Sequence, residues 1–121
     1  MSERHAVERK RIAILGSTGS IGGSALSVVD THPNRLEVVA LAAGENAGLL
    51  AEQAARYTPR LVAVGSAGAA DRLRASPAWS SAVRLAGTGR EGLVAVATHP
   101  DVDIVLCASS GTDALEAVLA A

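Results

Sequence analysis

The fold of this chain is decided by the stretch Arg11-Ile12-Ala13-Ile14-Leu15-Gly16-Ser17-Thr18-Gly19-Ser20-Ile21-Gly22. Its first part is an apolar run with the length of a buried strand, and its last part has the spacing of a helix. Glycines between the two allow a tight bend, close approach of a ligand and close packing of the helix on the strand. The free N–H groups at the start of such a helix attract anionic oxygens. The pattern therefore predicts a phosphate-binding turn, although it is not a P-loop because no Gly-Lys-Ser/Thr follows.

Strand and helix patterns alternate along the whole chain. The predicted strands are Arg11–Leu15, Leu36–Ala42, Arg60–Val64, the weaker Ala82–Ala86, and Val102–Cys107. The predicted helices cover 20–32, 47–58, 67–73, 89–98 and 112–121. Alternation at this spacing implies right-handed crossovers and parallel pairing. We therefore expect an α/β fold, a Rossmann-like doubly wound parallel sheet of about five strands flanked by helices, with the first strand central.

Apolar spacing and capping residues predict how the helices sit on this sheet. We expect Asn46, Ser66 and Thr88 to act as N-caps, because their side chains accept hydrogen bonds from free N–H groups at a helix start. The residues expected to face inward are Ile21, Ala25, Val28 and Val29 in the first helix, Leu49, Leu50, Gln53, Ala54 and Tyr57 in the second, and Leu93, Val94 and Ala97 in the fourth.

The composition restricts the class of protein. The chain has 121 residues, 49% of them hydrophobic, which is about one domain with an ample core, and its formal net charge of -1 comes without a basic run that could follow a nucleic-acid backbone. The single Cys107 excludes an internal disulfide, fits a reducing compartment, and is expected to be buried in its strand. Because no signal peptide or membrane-spanning run is visible, we expect a cytoplasmic protein without nucleic-acid or membrane partners. Residues 1–10 are expected to form a flexible tail, and residues 11–121 a dinucleotide-binding domain cut at its C-terminal end.

The expected ligand crevice lies beyond the carboxyl ends of the strands, where the winding of the sheet reverses. This places Gly16–Gly22, Gly44–Asn46 and Ser109–Gly111 at one crevice. Asp101 and Asp103 fall at the opposite end, so that paired metal ligation by them is not expected. His32 and His99 precede prolines at helix ends, where an imidazole can bond the last carbonyls, and neither has a partner at catalytic spacing.

Four stretches of the chain carry a family resemblance: Ile14–Gly22, Asn34–Asn46, Pro59-Arg60 and Asp101–Val105. Together they resemble the N-terminal cofactor domain of 1-deoxy-D-xylulose 5-phosphate reductoisomerase over about residues 11–121. That family is an oxidoreductase of isoprenoid precursor biosynthesis, which forms 2-C-methyl-D-erythritol 4-phosphate with NADPH and a divalent metal, manganese or magnesium. The resemblance implies a phosphosugar substrate and a homodimer for the full-length enzyme. It also implies that the catalytic and metal-binding residues follow Ala121, so that the fragment alone is inactive.

The resemblance also assigns the cofactor contacts. Thr18, Gly19, Ser20 and Ile21 would meet the pyrophosphate and the adjacent ribose, and Gly44 and Asn46 would approach the adenosine ribose. Gly16 and Ser17 are counted with the same cofactor-binding turn. The family usually reads Gly-Lys-Asn where this chain has Gly44-Glu45-Asn46. A carboxylate there repels the 2′-phosphate of NADPH and accepts a hydrogen bond from a free 2′-OH. We expect NADPH nonetheless, held by Asn46 and backbone N–H groups with Glu45 turned to solvent.

Two other classes of function fit the same turn. A non-catalytic nucleotide-sensing module would use the same sheet to regulate a partner. Another Gly-x-Thr-Gly dehydrogenase would need a cysteine nucleophile beside a base, which Cys107 within a strand does not supply. Short-chain dehydrogenase chemistry would need a lysine four residues from a tyrosine, and Tyr57 lacks one.

Overall fold

The computed structural model describes residues 9–108, which form five strands and four helices in strict alternation. The elements in chain order are β1 (Lys10–Leu15), α1 (Ser20–Thr31), β2 (Leu36–Ala42), α2 (Ala47–Tyr57), β3 (Leu61–Val64), α3 (Ala67–Ala75), β4 (Arg84–Thr88), α4 (Gly89–Ala97) and β5 (Ile104–Cys107). Residues 1–8 of the predicted tail, Ser109–Gly111 and the fifth predicted helix lie outside the described residues. The last residue of the predicted tail, Lys10, is instead the first residue of β1, and its N–H donates to the carbonyl of Arg35 at 2.8 Å.

The five strands form one parallel sheet in the order β4-β3-β2-β1-β5. The chain runs from β1 through β2 and β3 to β4 in one direction and then returns to place β5 on the free side of β1. Ile12 accordingly pairs with Val38 of β2 on one side and with Ile104 of β5 on the other. The doubly wound parallel sheet is confirmed, and β1 is an interior strand beside the point where the winding reverses.

Two apolar layers cover the two faces of the sheet. Alternate residues of β1 point to opposite faces, so that Ile12 and Ile14 join the cluster beneath α1, α2 and α3, whereas Ala13 and Leu15 join the cluster beneath α4. Small side chains on the second face let α4 come close. A Cβ added at Gly92 of α4 would lie 2.8 Å from the Cβ of Ala63.

The buried faces of the helices differ from the sequence prediction. In α1, Val29 is buried as predicted, but the other buried residues are Gly22 and Leu26, while Ile21 and Val28 are exposed. In α4, Ala97 is buried together with Gly92 and Val96, and the predicted Leu93 and Val94 are only half-buried. The spacing of apolar residues predicted the wrong buried face because the buried face of both helices includes a glycine. A glycine allows close contact with backbone atoms but has no hydrophobic side chain to mark the face in the sequence.

β4 starts two residues later than predicted. Ser80 forms a turn in which its carbonyl accepts from the Val83 N–H at 3.1 Å and its hydroxyl accepts from the Ala82 N–H at 3.2 Å. This turn removes Ala82 and Val83 from the strand. Gly87, the residue after the predicted strand, lies inside β4 with a φ of 150°, a value that favours glycine.

The prediction that Cys107 is buried is wrong. Cys107 is exposed, and so are Ile104 and Leu106 of the same strand. Among the described strands β5 pairs only with β1, so that one edge and parts of both faces remain uncovered there. The hydrophobic run identified a strand but not its place at the border of the described sheet.

Ion pairs join the strands at their amino ends. Arg11 bonds Asp103 through its backbone N–H at 2.9 Å and through its guanidinium at 3.3 Å. These hydrogen bonds lower the pKa of Asp103 below its usual value. Asp101 accepts a hydrogen bond from Arg60 before β3. Both aspartates therefore lie at the end of the sheet opposite the β1–α1 turn, as predicted, and they link the segment before β5 to β1 and to the residue before β3.

Candidate dinucleotide-binding site

The β1–α1 turn is fixed to the end of the neighbouring strand. The N–H groups of Gly16 and Ser17 both donate to the carbonyl of Ala42 at the end of β2, at 2.8 and 3.0 Å. Gly16 has a φ of 87°, which L side chains rarely adopt, and its own carbonyl accepts from the Gly19 N–H at 3.2 Å. A glycine at position 16 and the ladder to β2 together set the shape of the turn.

Gly22 lets α1 press against this turn. A Cβ added at Gly22 would lie 2.2 Å from the carbonyl oxygen of Gly16 and 2.7 Å from the Cα of Ser17. These are backbone atoms, which cannot rotate aside as a side chain can. The last glycine of the motif therefore serves the contact between the helix and the turn, whereas a Cβ at Gly19 would meet its nearest atom only at 3.6 Å.

Within residues 9–108, no side chain caps the N-terminus of α1. Its N-cap is Gly19, and no acidic residue lies in its first turn. By contrast, α2 and α3 are capped by the side chains of Asn46 and Ser66, as predicted. The predicted cap Thr88 is wrong, because its side chain makes no hydrogen bond to the start of α4, but α4 carries Glu91 in its first turn. Gly19 and Ser20 at the start of α1 are exposed. Because unsatisfied N–H groups and the helix dipole both favour negative charge, this helix start can receive an anionic group such as a pyrophosphate.

Gln53 of α2 donates a hydrogen bond to the β1–α1 turn. The sequence analysis did not assign it a role in the site. Its Nε2 donates to the carbonyl of Ser17 at 2.9 Å across the packed α1–α2 layer, and its side chain is buried. Ser17 itself is fully buried, and its Oγ has no hydrogen-bond partner among the described atoms. The only signal in the sequence was a polar residue on the apolar side of α2, because a buried amide needs a partner.

The β2–α2 turn forms the second part of the site. Gly44 is exposed, and its carbonyl accepts from the Gly65 N–H at 2.8 Å, which joins the ends of β2 and β3. Asn46 caps α2 as predicted, since its Oδ1 accepts from the Leu49 N–H at 3.2 Å. The cap holds the Asn46 side chain against its own helix.

The Glu45 side chain is exposed, but it accepts hydrogen bonds from two other side chains, which the sequence did not predict. Its Oε1 accepts from the hydroxyl of Ser66 at 2.9 Å and from Nη2 of Arg72 at 3.1 Å. The same Nη2 donates to the Glu45 backbone carbonyl at 3.1 Å. A Cβ at Gly65 would lie 2.8 Å from the other carboxylate oxygen. Glu45 thus lies across the end of β3, and Arg72 approaches the turn from α3.

The sheet brings the predicted residues together at its carboxyl end. The segment Gly16–Ile21 follows β1, and Gly44–Asn46 follows the neighbouring β2. The two segments are linked because the N–H groups of Gly16 and Ser17 donate to the carbonyl of Ala42, the last residue of β2. The Ala108 N–H donates to the carbonyl of Leu15 at 2.8 Å, so that the chain leaving β5 passes beside the same turn. Ser109–Gly111, which were predicted to complete this edge, lie outside the described residues.

His32 and His99 lie away from this edge. His32 follows α1, where its Nδ1 lies 2.8 Å from the carbonyl of Thr31, as expected for an imidazole at a helix end. Nδ1 of His99 accepts from the Asp101 N–H at 3.1 Å instead of bonding a helix carbonyl. Within residues 9–108, no three His, Cys, Asp or Glu side chains are grouped so as to hold a metal ion, and no helix is long and apolar enough to cross a membrane.

These features define a class of protein. A glycine-rich turn leads from an interior parallel strand into a helix whose first turn faces outward, at the point where the sheet reverses its winding. That arrangement is the dinucleotide-binding domain of the Rossmann type.

Comparison with known proteins gives the family. The family model described as 1-deoxy-D-xylulose 5-phosphate reductoisomerase matches residues 12–121. This chain therefore belongs to the 1-deoxy-D-xylulose 5-phosphate reductoisomerase family, as its motifs had indicated.

Individual relatives agree with this placement. The reductoisomerase of Symbiobacterium thermophilum is 51% identical over 116 residues, which are 93% of this chain and 30% of that protein. The solved reductoisomerase of Zymomonas mobilis in complex with NADPH matches with a TM-score of 0.82 and 30% identity, over 93% of this chain and 29% of that one. A DOX-P reductoisomerase in complex with magnesium matches with a TM-score of 0.80 and 30% identity, over 93% and 28% of the two chains. The chain thus spans less than a third of the length of these relatives.

Proposed function

We propose that this chain is the NADPH-binding domain of an enzyme that converts 1-deoxy-D-xylulose 5-phosphate to 2-C-methyl-D-erythritol 4-phosphate. The observation that carries the proposal is the start of α1. Among the described residues it has no side-chain cap and no acidic residue in its first turn, and it lies so close to the glycine-rich turn that only glycine fits at position 22. The NADPH found in the solved relative from Zymomonas mobilis supports the choice of dinucleotide.

The residues present fit the charged part of such a cofactor. Thr18, Gly19, Ser20 and Ile21 would hold the pyrophosphate and its ribose, because the last three form the exposed start of α1 and half-buried Thr18 directly precedes them. Gly16 and Ser17 would act by shaping the turn, since both N–H groups already bond Ala42. NADPH, when bound, supplies the hydride that reduces the rearranged substrate.

The adenosine end of the cofactor would lie beside the β2–α2 turn. Exposed Gly44 leaves room for a ribose, since a Cβ there would meet nothing within 4 Å. Asn46 would act mainly by holding the first turn of α2, because its side-chain oxygen already accepts the Leu49 N–H. In this proposal the chain binds and orients the dinucleotide, while the reacting carbons meet residues outside 9–108.

The remaining parts of the proposal concern the full-length protein. Its substrate is a phosphosugar, and a divalent ion, manganese or magnesium, is bound by residues that do not belong to this chain. The magnesium complexes of the solved relatives support the metal. We further propose a cytoplasmic homodimer, in keeping with the family resemblance, and a fragment that binds NADPH without turning over substrate.

Two measurements test this function. The full-length protein is given 1-deoxy-D-xylulose 5-phosphate, NADPH and manganese or magnesium, and NADPH oxidation is followed together with the identity of the product. We expect metal-dependent formation of 2-C-methyl-D-erythritol 4-phosphate. A folded preparation that binds NADPH but forms no product would favour the nucleotide-sensing class. Residues 1–121 alone are expected to bind NADPH in a titration and to show no turnover.

A further inference from the structure

We propose that Arg72 selects the 2′-phosphorylated dinucleotide in this protein and that Glu45 is a carboxylate gate which this phosphate must displace. The inference rests on the proposed function, since it concerns the adenosine end of the same cofactor. It starts from one cluster at the ends of β2 and β3, in which the Arg72 guanidinium bonds both the backbone and the side chain of Glu45.

The first step concerns the source of positive charge. A 2′-phosphate is held by hydrogen bonds from cations, and within the turn Gly44–Asn46 the one ionisable side chain is a carboxylate. Arg72 comes from α3, 27 residues further along the chain, and its Nη2 lies 3.1 Å from the Glu45 carbonyl. The guanidinium therefore already lies on the turn that the adenosine ribose would approach.

The second step concerns the ease of exchange. The side chains of Glu45 and Arg72 retain 64% and 56% of their exposure, and ion pairs as exposed as this one contribute little to stability. A phosphate offers Arg72 a second negative charge and more acceptor oxygens than a carboxylate does. Phosphate can therefore replace the carboxylate on Arg72 at small cost to the fold, while Glu45 keeps the hydroxyl of Ser66 as a partner.

The third step separates this arrangement from recognition of NADH. An acidic residue at the end of the second strand of a dinucleotide fold ordinarily accepts the 2′-OH of NADH. That arrangement requires a carboxylate directed at the ribose. Here Ser66 and Arg72 hold Glu45 over Gly65. The two interpretations predict different results when the carboxylate is removed. If Glu45 is a gate, its removal raises the affinity for the phosphorylated ligand. If Glu45 is an acceptor for the 2′-OH, its removal lowers the affinity for the unphosphorylated ligand.

The test measures how tightly the full-length protein binds 2′,5′-ADP and 5′-AMP, two ligands that differ only in the 2′-phosphate. Calorimetric titrations compare wild type, Arg72→Gln, Arg72→Lys and Glu45→Gln. Arg74→Gln is the matched control, because Arg74 lies on the same helix, is similarly exposed and pairs with Asp71 instead. Thermal unfolding of each variant confirms that it is folded.

We expect Arg72→Gln to weaken binding of 2′,5′-ADP by about tenfold or more, as for the loss of a hydrogen bond to a charged group, with 5′-AMP changed by less than about twofold. Arg72→Lys is expected to lie between wild type and Arg72→Gln, because a lysine keeps the charge but loses the planar fork. Glu45→Gln should strengthen 2′,5′-ADP binding by roughly threefold or more, since it removes a competing negative charge. Arg74→Gln should match wild type with both probes.

Three results would overturn the inference. Arg72→Gln could weaken both probes equally or neither, Arg74→Gln could act as strongly as Arg72→Gln, or Glu45→Gln could weaken 5′-AMP and leave 2′,5′-ADP unchanged. Each of these leaves the proposed function standing as long as wild type binds NADPH. If wild type binds neither NADPH nor NADH, the proposed function itself fails, and the inference fails with it.

Discussion

Replacing Gly22 with alanine tests whether the close contact between α1 and the glycine-rich turn is required. The added methyl group would lie 2.2 Å from the Gly16 carbonyl oxygen and within 2.8 Å of two backbone atoms of Ser17. No rotamer change relieves these contacts, because alanine has no χ angle and the opposing atoms belong to the backbone. Either α1 moves outward or the turn is displaced from the Ala42 carbonyl that holds it.

The size of the effect follows from two opposing contributions. Forcing a methyl group into a packed site costs about 1–3 kcal/mol, and the rigidity of these neighbours places Gly22→Ala at the upper end. Alanine in a helix interior recovers about 0.5–1 kcal/mol relative to glycine. We therefore expect the free energy of unfolding to fall by about 2 kcal/mol. In urea this moves the midpoint by roughly 1 M at the slopes usual for small domains.

Gly23→Ala is the matched control. Gly23 is the next residue of the same helix, and a Cβ there would meet nothing within 4 Å. This variant should gain about 0.5–1 kcal/mol and keep its NADPH affinity, because only the helix propensity changes. Urea unfolding followed by circular dichroism and NADPH titration of both variants provide the measurement. If Gly22→Ala were as stable as Gly23→Ala and bound NADPH as tightly as wild type, the proposed role of this contact would be refuted.

Three further predictions concern the support of the site and of the sheet. Gln53→Leu should lower stability by about 1–3 kcal/mol and weaken NADPH binding, because the buried carbonyl of Ser17 loses its donor; denaturation and titration that show no change would contradict this. Asn46→Ala should cost about 1 kcal/mol through loss of the α2 cap, whereas Asn46→Asp should retain most of it, both measured by urea unfolding. Asp103→Asn should change how stability depends on pH in acid. Because the pKa of Asp103 is lowered in the folded state, its carboxylate stabilises the fold above about pH 3.8, and this stabilisation is lost as the pH falls below that value. In a pH series of thermal melts, wild type should therefore lose stability in this range more steeply than the variant.

The general architecture was accessible from the sequence because its signals are local. The strand Leu36–Ala42 matches its prediction residue for residue, and the caps Asn46 and Ser66 form the predicted bonds. Parallel pairing followed from alternation alone, since each strand needs a helical crossover to reach a parallel neighbour. The glycine-rich turn was equally visible, because its residues are consecutive in the chain.

The predictions that failed depend on what lies opposite a residue. Cys107 and Ile21 are apolar by type but exposed, because nothing described in the structure covers β5 at its outer edge or α1 at its first turn. Hydrophobicity predicts that a residue can be buried, while its burial is decided by the element that packs against it.

The sequence by itself determined the succession of strands and helices, the position of the phosphate-binding turn and the family. Only the tertiary structure decided which groups surround that turn and the neighbouring β2–α2 turn. Gln53 reaches Ser17 across 36 residues, and Arg72 reaches Glu45 across 27. Contacts of this kind have no spacing rule, since they arise where parallel strands end side by side and bring together helices that follow different strands. The turn is therefore defined by consecutive residues, whereas its support and its charge are defined by the packing of the sheet.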